Sequence, residues 1–143
     1  MSNYKKILFI HTAFNTDSIE SAWGVEIDGG YRLENILFYT KNYSWNDIVS
    51  VKEKDGDLYV TGLLEEGGHS TINILFKDDN EVKQIRRELK EMGCDSELSN
   101  LSNLIALDIP PNTDYSIIKK YLDRGELAEK WEYQEACISS NHQ

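Results

Sequence analysis

The chain has 143 residues, 40% hydrophobic and 28% charged, with a formal net charge of −10 and a pI near 4.7. That is one domain's length with enough apolar material for a core, so disorder is excluded, and the acidity repels nucleic acid and anionic membrane. No stretch approaches the roughly 20 apolar residues of a membrane span. Residues 1–6 are polar and the apolar run 7–10 is too short for a signal peptide, so the expected compartment is the cytoplasm. The two cysteines, Cys94 and Cys137, are expected there as buried thiols and not as a disulfide.

Residues 5–12 read as a central strand, because Ile7 and Phe9 point one way and Leu8 and Ile10 the other, leaving both faces apolar. Residues 12–20 read as polar and irregular. Residues 21–27 alternate Ala22-x-Gly24-x-Glu26 against Trp23-x-Val25-x-Ile27, a half-buried strand. Asp28-Gly29-Gly30 turns the chain and 31–37 completes a hairpin. A second hairpin, 48–54 with 57–65, closes on Asp55-Gly56, a strong turn dipeptide. Gly67-Gly68 breaks the chain before a strand at 70–76.

The period then changes. Val82, Ile85, Leu89 and Met92 fall on one helical face, Asp78 and Glu81 resemble a capping box, and Gly93 suits the stop, predicting a helix over 79–92. Residues 94–102 read as a polar connection and 103–109 as a strand closed by Pro110-Pro111. Thr113 or Asp114 caps a second helix through Asp123, buried at Ile117, Ile118, Tyr121 and Leu122 and ended by Gly125. A last strand is expected near 131–136 and a frayed tail at 139–143. The predicted fold is α+β: an N-terminal antiparallel β-sheet or partial barrel (1–67) followed by a ferredoxin-like β-α-β-α-β half (68–138). These form one compact domain, 1–143, with two lobes.

Chemistry is sparse. His69 and Ser70 are neighbours on a strand, point to opposite faces and do not form a base–nucleophile pair. His11, His69, His142 and the cysteines lack metal-ligand spacing, and Asp55-Gly56-Asp57 lacks the remaining ligands of a calcium loop. Neither glycine pair opens a helix as a phosphate cradle does. No catalytic residue, metal or cofactor is expected. Residues 53–81 do carry eight carboxylates against Lys54 and Lys77, a net −6.

The segments Ala22-Trp23, Gly30-Tyr31-Arg32-Leu33-Glu34-Asn35-Ile36, Asn46-Asp47-Ile48-Val49 and Gly68-His69-Ser70-Thr71 resemble an uncharacterised bacterial family of short acidic proteins. The likeness continues through Gly93-Cys94, Leu107-Asp108-Ile109-Pro110-Pro111, Asp114-Tyr115, Gly125-Glu126 and Trp131-Glu132-Tyr133. It carries no activity. In size and charge the chain also resembles immunity proteins of bacterial toxin systems, including contact-dependent growth inhibition. That likeness implies a cytoplasmic binding protein, not an enzyme, that occludes a cognate toxin domain such as a basic nuclease. The expected contacts are Asp55, Asp57, Glu65, Glu66, Asp78 and Asp79, with Tyr43 and Trp45 as aromatic anchors. The alternative is a small enzyme or ligand-binding domain with His69 or His11 in a cleft between the lobes.

Overall fold

The computed structural model describes residues 3–13 and 16–143. Five strands, β1 (Tyr4–Ala13), β2 (Thr16–Ile27), β3 (Gly30–Leu33), β4 (Ile48–Lys54) and β5 (Asp57–Glu65), form a closed barrel. Neighbours are antiparallel, except that β1 and β5 close the barrel in parallel through Ile7–Leu58 and Leu8–Tyr59. The rest is β6 (Ser70–Phe76), α1 (Val82–Glu91), β7 (Ser96–Leu98), β8 (Leu104–Ile109), α2 (Tyr115–Leu127) and β9 (Trp131–Cys137). Its four strands make an antiparallel sheet in the order β7-β8-β6-β9. The molecule is thus α+β, with a closed barrel where a partial one was expected. No helix among the described residues is long and apolar enough to cross a membrane.

Inside the barrel, space decides which side of each strand turns inward. Ile7, Phe9, Ala22, Leu33, Leu37 and Val49 form its core. β2 turns its small residues in. A Cβ on Gly24 would stand 2.8 Å from Ile7 Cγ1 and 3.3 Å from Tyr31 Cβ, so the larger Trp23 faces out and is 51% exposed. β1 does lie between two strands, but its second apolar face is bare, with Ile10 58% exposed. The β2–β3 and β4–β5 hairpins close on residues with positive φ, Asp28-Gly29 and Asp55-Gly56, whose backbone twist matches that of the flanking strands.

The second core lies between the four-stranded sheet and both helices. Ile72, Ile74 and Phe76 of β6 and Ile105, Leu107 and Ile109 of β8 meet Val82, Ile85 and Leu89 of α1 and Ile118 and Leu122 of α2. Asp78 caps the short 3-10 turn Asp79–Glu81 that leads into α1, accepting from Asn80 N at 2.9 Å. Gly125 does not end α2. It lies inside the helix because Trp131 packs flat on it, and a Cβ there would sit 1.9 Å from Trp131 Cζ2. The indole is fixed by its Nε1 donating to Leu122 O at 3.0 Å.

Ile117 of α2, expected in the core, is 56% exposed, and four other expectations change. Residues 12–20 are strand where described, Phe14 and Asn15 lying outside the described residues together with Met1 and Ser2. The strand at 31–37 stops at Leu33, where the chain leaves the barrel as an irregular strap over 34–47. The connection 94–102 contains β7. The tail 139–143 is pinned. Ser139 is 2% exposed, with its N–H donating to Ser70 Oγ (2.8 Å) and its hydroxyl to Gly68 O (3.0 Å). His142 Nε2 donates to Pro110 O at 2.9 Å, which leaves Nδ1 to accept from the Ser70 hydroxyl at 2.6 Å. Glu66 receives Ser140 N and Oγ at 3.2 and 3.0 Å.

Two substitutions test this packing. Gly125→Ala should lower the unfolding free energy by about 1–3 kcal/mol through overpacking, despite a helix-propensity gain of about 1 kcal/mol, as read from the urea midpoint. His142→Ala leaves the buried Ser70 O–H without its acceptor and should cost about 1–3 kcal/mol while opening the tail to carboxypeptidase. An unchanged midpoint and an undigested tail would show that the clamp carries no load.

Candidate functional site

The fold disperses the expected acidic contacts. Asp55 and Asp57 sit at the β4–β5 tip, and Glu65 and Glu66 at the other end of β5. Eight steps of about 3.4 Å put Asp57 and Glu65 roughly 27 Å apart. Asp78 and Asp79 lie beyond the far end of β6, a further seven-residue strand away. Three of the six also have internal work: Asp78 caps, Asp79 accepts from Ser102 Oγ at 2.8 Å, and Glu66 holds the tail. These residues do not make one contiguous face, because extended chain separates what the sequence places side by side. What the barrel end does gather is Glu26 and Glu53 around Tyr31. Its phenol pKa is raised, first by burial and then by those two carboxylates.

Tyr43 and Trp45 are half-buried. The Tyr43 ring packs 5.3 Å from Phe9 against the barrel core, and burial raises its pKa, with Asp47 adding to the shift. The Trp45 ring packs 5.1 Å from His69, and its Nε1 is buried without a hydrogen-bond partner among the described residues. The exposed apolar groups stand elsewhere. On the outer face of β1 and β2, Ile10 and Ile19 are direct cross-strand partners, each 58% exposed, followed by Leu8 opposite Ser21 and by Lys6 opposite Trp23. Tyr59 of β5 extends the band beside Leu8. The signal for it was the second apolar face of β1.

Each histidine has its own setting. His69 Nδ1 donates to both oxygens of Asp108 at 2.9 Å, while Asn46 Nδ2 lies 3.4 Å from Nε2. Asp108 is 1% exposed, and burial raises its pKa against the lowering influence of His69. Ser70 is fully buried, and its hydroxyl is bonded to His142 Nδ1 and to Ser139 N. His11 stacks on Tyr39 with ring centres 6.1 Å apart, in a cleft of about 390 Å³ at the barrel mouth that also holds Phe9, Lys41, Tyr43 and Val60. Among the described residues no group of three or more His, Cys, Asp and Glu is placed to hold a metal ion. Both cysteines are free, and burial pushes the Cys94 thiol up to about 12.

The strap is where both lobes meet. Glu20 accepts from Phe38 N, Tyr39 N and Thr40 N at 2.6, 3.0 and 2.8 Å. Asp47, 3% exposed, accepts from Ser44 N and Gly67 N at 2.8 Å each. Toward the second sheet, Ser44 Oγ meets Thr71 Oγ1 (2.8 Å), Asn73 Nδ2 donates to Phe38 O (2.9 Å) and Asn42 N donates to Ala136 O (3.0 Å).

Desolvation raises the pKa of Asp47 in spite of its two N–H donors. Folding therefore favours its protonated form. Its contribution to stability is fully present below the ordinary value of 3.8 and is lost as pH rises through the raised one. Asp47→Asn should flatten the dependence of the urea midpoint on pH above the ordinary value of 3.8; an identical slope in the variant would contradict this assignment.

Comparison with known proteins adds fold and family. A crystal structure of a hypothetical protein from Neisseria gonorrhoeae is similar, with a TM-score of 0.83 over 97% of this chain and 98% of that one. At 24% sequence identity, that likeness speaks for the fold alone. No curated protein matches the chain. The model of a domain of unknown function, DUF4265, matches residues 20–133, and the chain belongs to that family.

Proposed function

We propose that this protein is a binding protein that acts as an immunity protein in the cytoplasm, neutralising a cognate bacterial toxin domain by covering its active site. The observation that carries this reading is the exposed apolar band of Ile10, Ile19 and Trp23 on a chain of net charge −10. Bare apolar groups flanked by polar residues are what a protein interface needs for affinity. Distributed negative charge steers a basic partner, such as a nuclease, without a single acidic patch. In this reading the field governs encounter and the band governs residence. The order of the second sheet, with both helices against one face, supports a ferredoxin-like half, which by itself implies no activity.

The test is co-expression with the C-terminal toxin domain of an effector encoded beside this gene. Wild type should protect the cells and co-purify with the toxin. Ile10→Asp and Ile19→Asp should each weaken the complex by about 30-fold or more, the scale of an interface hot spot, with an unchanged circular dichroism spectrum. Absence of protection, or full affinity in the double variant, would remove this reading.

A second reading, a ligand-binding domain or small enzyme, has the His11 cleft behind it. It requires a separable activity or ligand that disappears in His11→Ala while protection persists.

A further inference from the structure

β2 is paired with β1 from Thr16 to Val25 but with β3 only from Gly24 to Ile27. Ahead of Gly24, the second edge of β2 carries no strand among the described residues. At Trp23 the strap still covers that edge, since Trp23 O accepts from Glu34 N at 2.8 Å and Trp23 N donates to Asn35 Oδ1 at 2.6 Å. Along an antiparallel strand, alternate residues direct both N–H and C=O to the same side. Ser21 and Ile19 therefore direct theirs toward the open edge, as Trp23 does.

The edge opens on a groove of about 360 Å³. It is lined by Ser21 to Trp23 of β2, by Glu97 and Leu98 of β7, and by Ile36 and Phe38 of the strap. β7 is the outermost strand of its sheet, and Leu98 is 58% exposed. Natural strand edges are usually blunted by charge or covered. This one is left between two bare apolar side chains, Trp23 and Leu98. The charged groups lining the groove are Glu20, Glu97 and Lys6, so a cationic occupant is favoured, with its cation toward Glu97 and away from Lys6.

We propose that the groove takes an extended, basic segment of the protein partner as an added strand. Its main chain pairs with Ser21 and Ile19, an apolar side chain lies between Trp23 and Leu98, and a Lys or Arg faces Glu97. This rests on the binding reading above and names the chemistry of the contact.

The probe is a blocked pentapeptide alternating lysine and valine, titrated into the full-length 15N-labelled chain. Saturable shifts are expected at the Ser21 and Ile19 amides and the Trp23 indole, with slowed hydrogen exchange at Ser21. A glutamate–valine peptide of the same length should bind at least tenfold more weakly. Glu97→Lys and Leu98→Asp should each cost tenfold for the basic peptide, and both variants should keep the amide spectrum of a folded chain. Shifts located elsewhere, equal affinity for the acidic peptide, absence of binding, or indifference to both substitutions would overturn the proposal. The two inferences separate cleanly. A chain that protects against the toxin equally well with Glu97→Lys and Leu98→Asp keeps the immunity reading and loses the groove. Peptide binding in the groove without any toxin protection keeps the groove and loses the immunity reading.

Discussion

The structure depends on satisfying the backbone of one strap that has no regular structure of its own. Residues 34–47 leave the barrel, cross the open face of the second sheet and return as β4. Buried N–H groups in such a segment have no ladder to join, and each one left unpaired costs about 1–3 kcal/mol. Two carboxylates take the place of a ladder. Glu20, on a barrel strand, receives three consecutive N–H groups of the strap, and Asp47, at its end, receives Ser44 N of the strap and Gly67 N from beyond β5. With the strap fixed, its outer groups bond Thr71, Asn73 and Ala136, and barrel and sheet become one body. Gly67 belongs to the same constraint: a Cβ there would stand 2.5 Å from the Asn46 backbone, closer than the Asp47 bond allows.

How much of this the sequence disclosed follows from the range of each interaction. The Asp55-Gly56 hairpin and the face of Val82, Ile85 and Leu89 are set within a few residues, and both appear where the local pattern puts them. Gly125 misled because its role is defined by Trp131, which no helix rule contains. The tail misled for the same reason. Ser139 and His142 are polar and terminal, and their partners Ser70 and Gly68 lie about half the chain away. The acidic run misled in the opposite direction, since neighbours in sequence became the two ends of β5. Alternation along β1 and β2 was legible, but which side faced the core depended on the narrow bore of a five-stranded barrel, where Gly24 and Ala22 fit and Trp23 does not.

The same logic separates the polar residues that hold the molecule together from those free to act outside it. His69 with Asp108 and His142 with Ser70 are closed pairs whose donors and acceptors are matched internally. Their chemistry stabilises a particular juxtaposition of lobes. Among the exposed apolar groups, four stand on strands at the barrel wall and the β7 edge: Ile10, Ile19, Trp23 and Leu98. A rigid barrel is well suited to present them, because strands hold side chains at fixed spacing and lose little freedom when a partner arrives.

The bare side of β1 has a consequence for the molecule when it is alone. Two copies meeting through Ile10 and Ile19, each 58% exposed, would gain apolar contact. Ten units of like charge on each copy oppose that encounter at a distance. In concentrated electrolyte, where the screening length shrinks to about 3 Å at 1 M, that mutual repulsion fades. Colloidal stability of the unliganded chain thus hinges on ionic strength, and the acidity that the fold scatters over its surface serves as a guard against self-association.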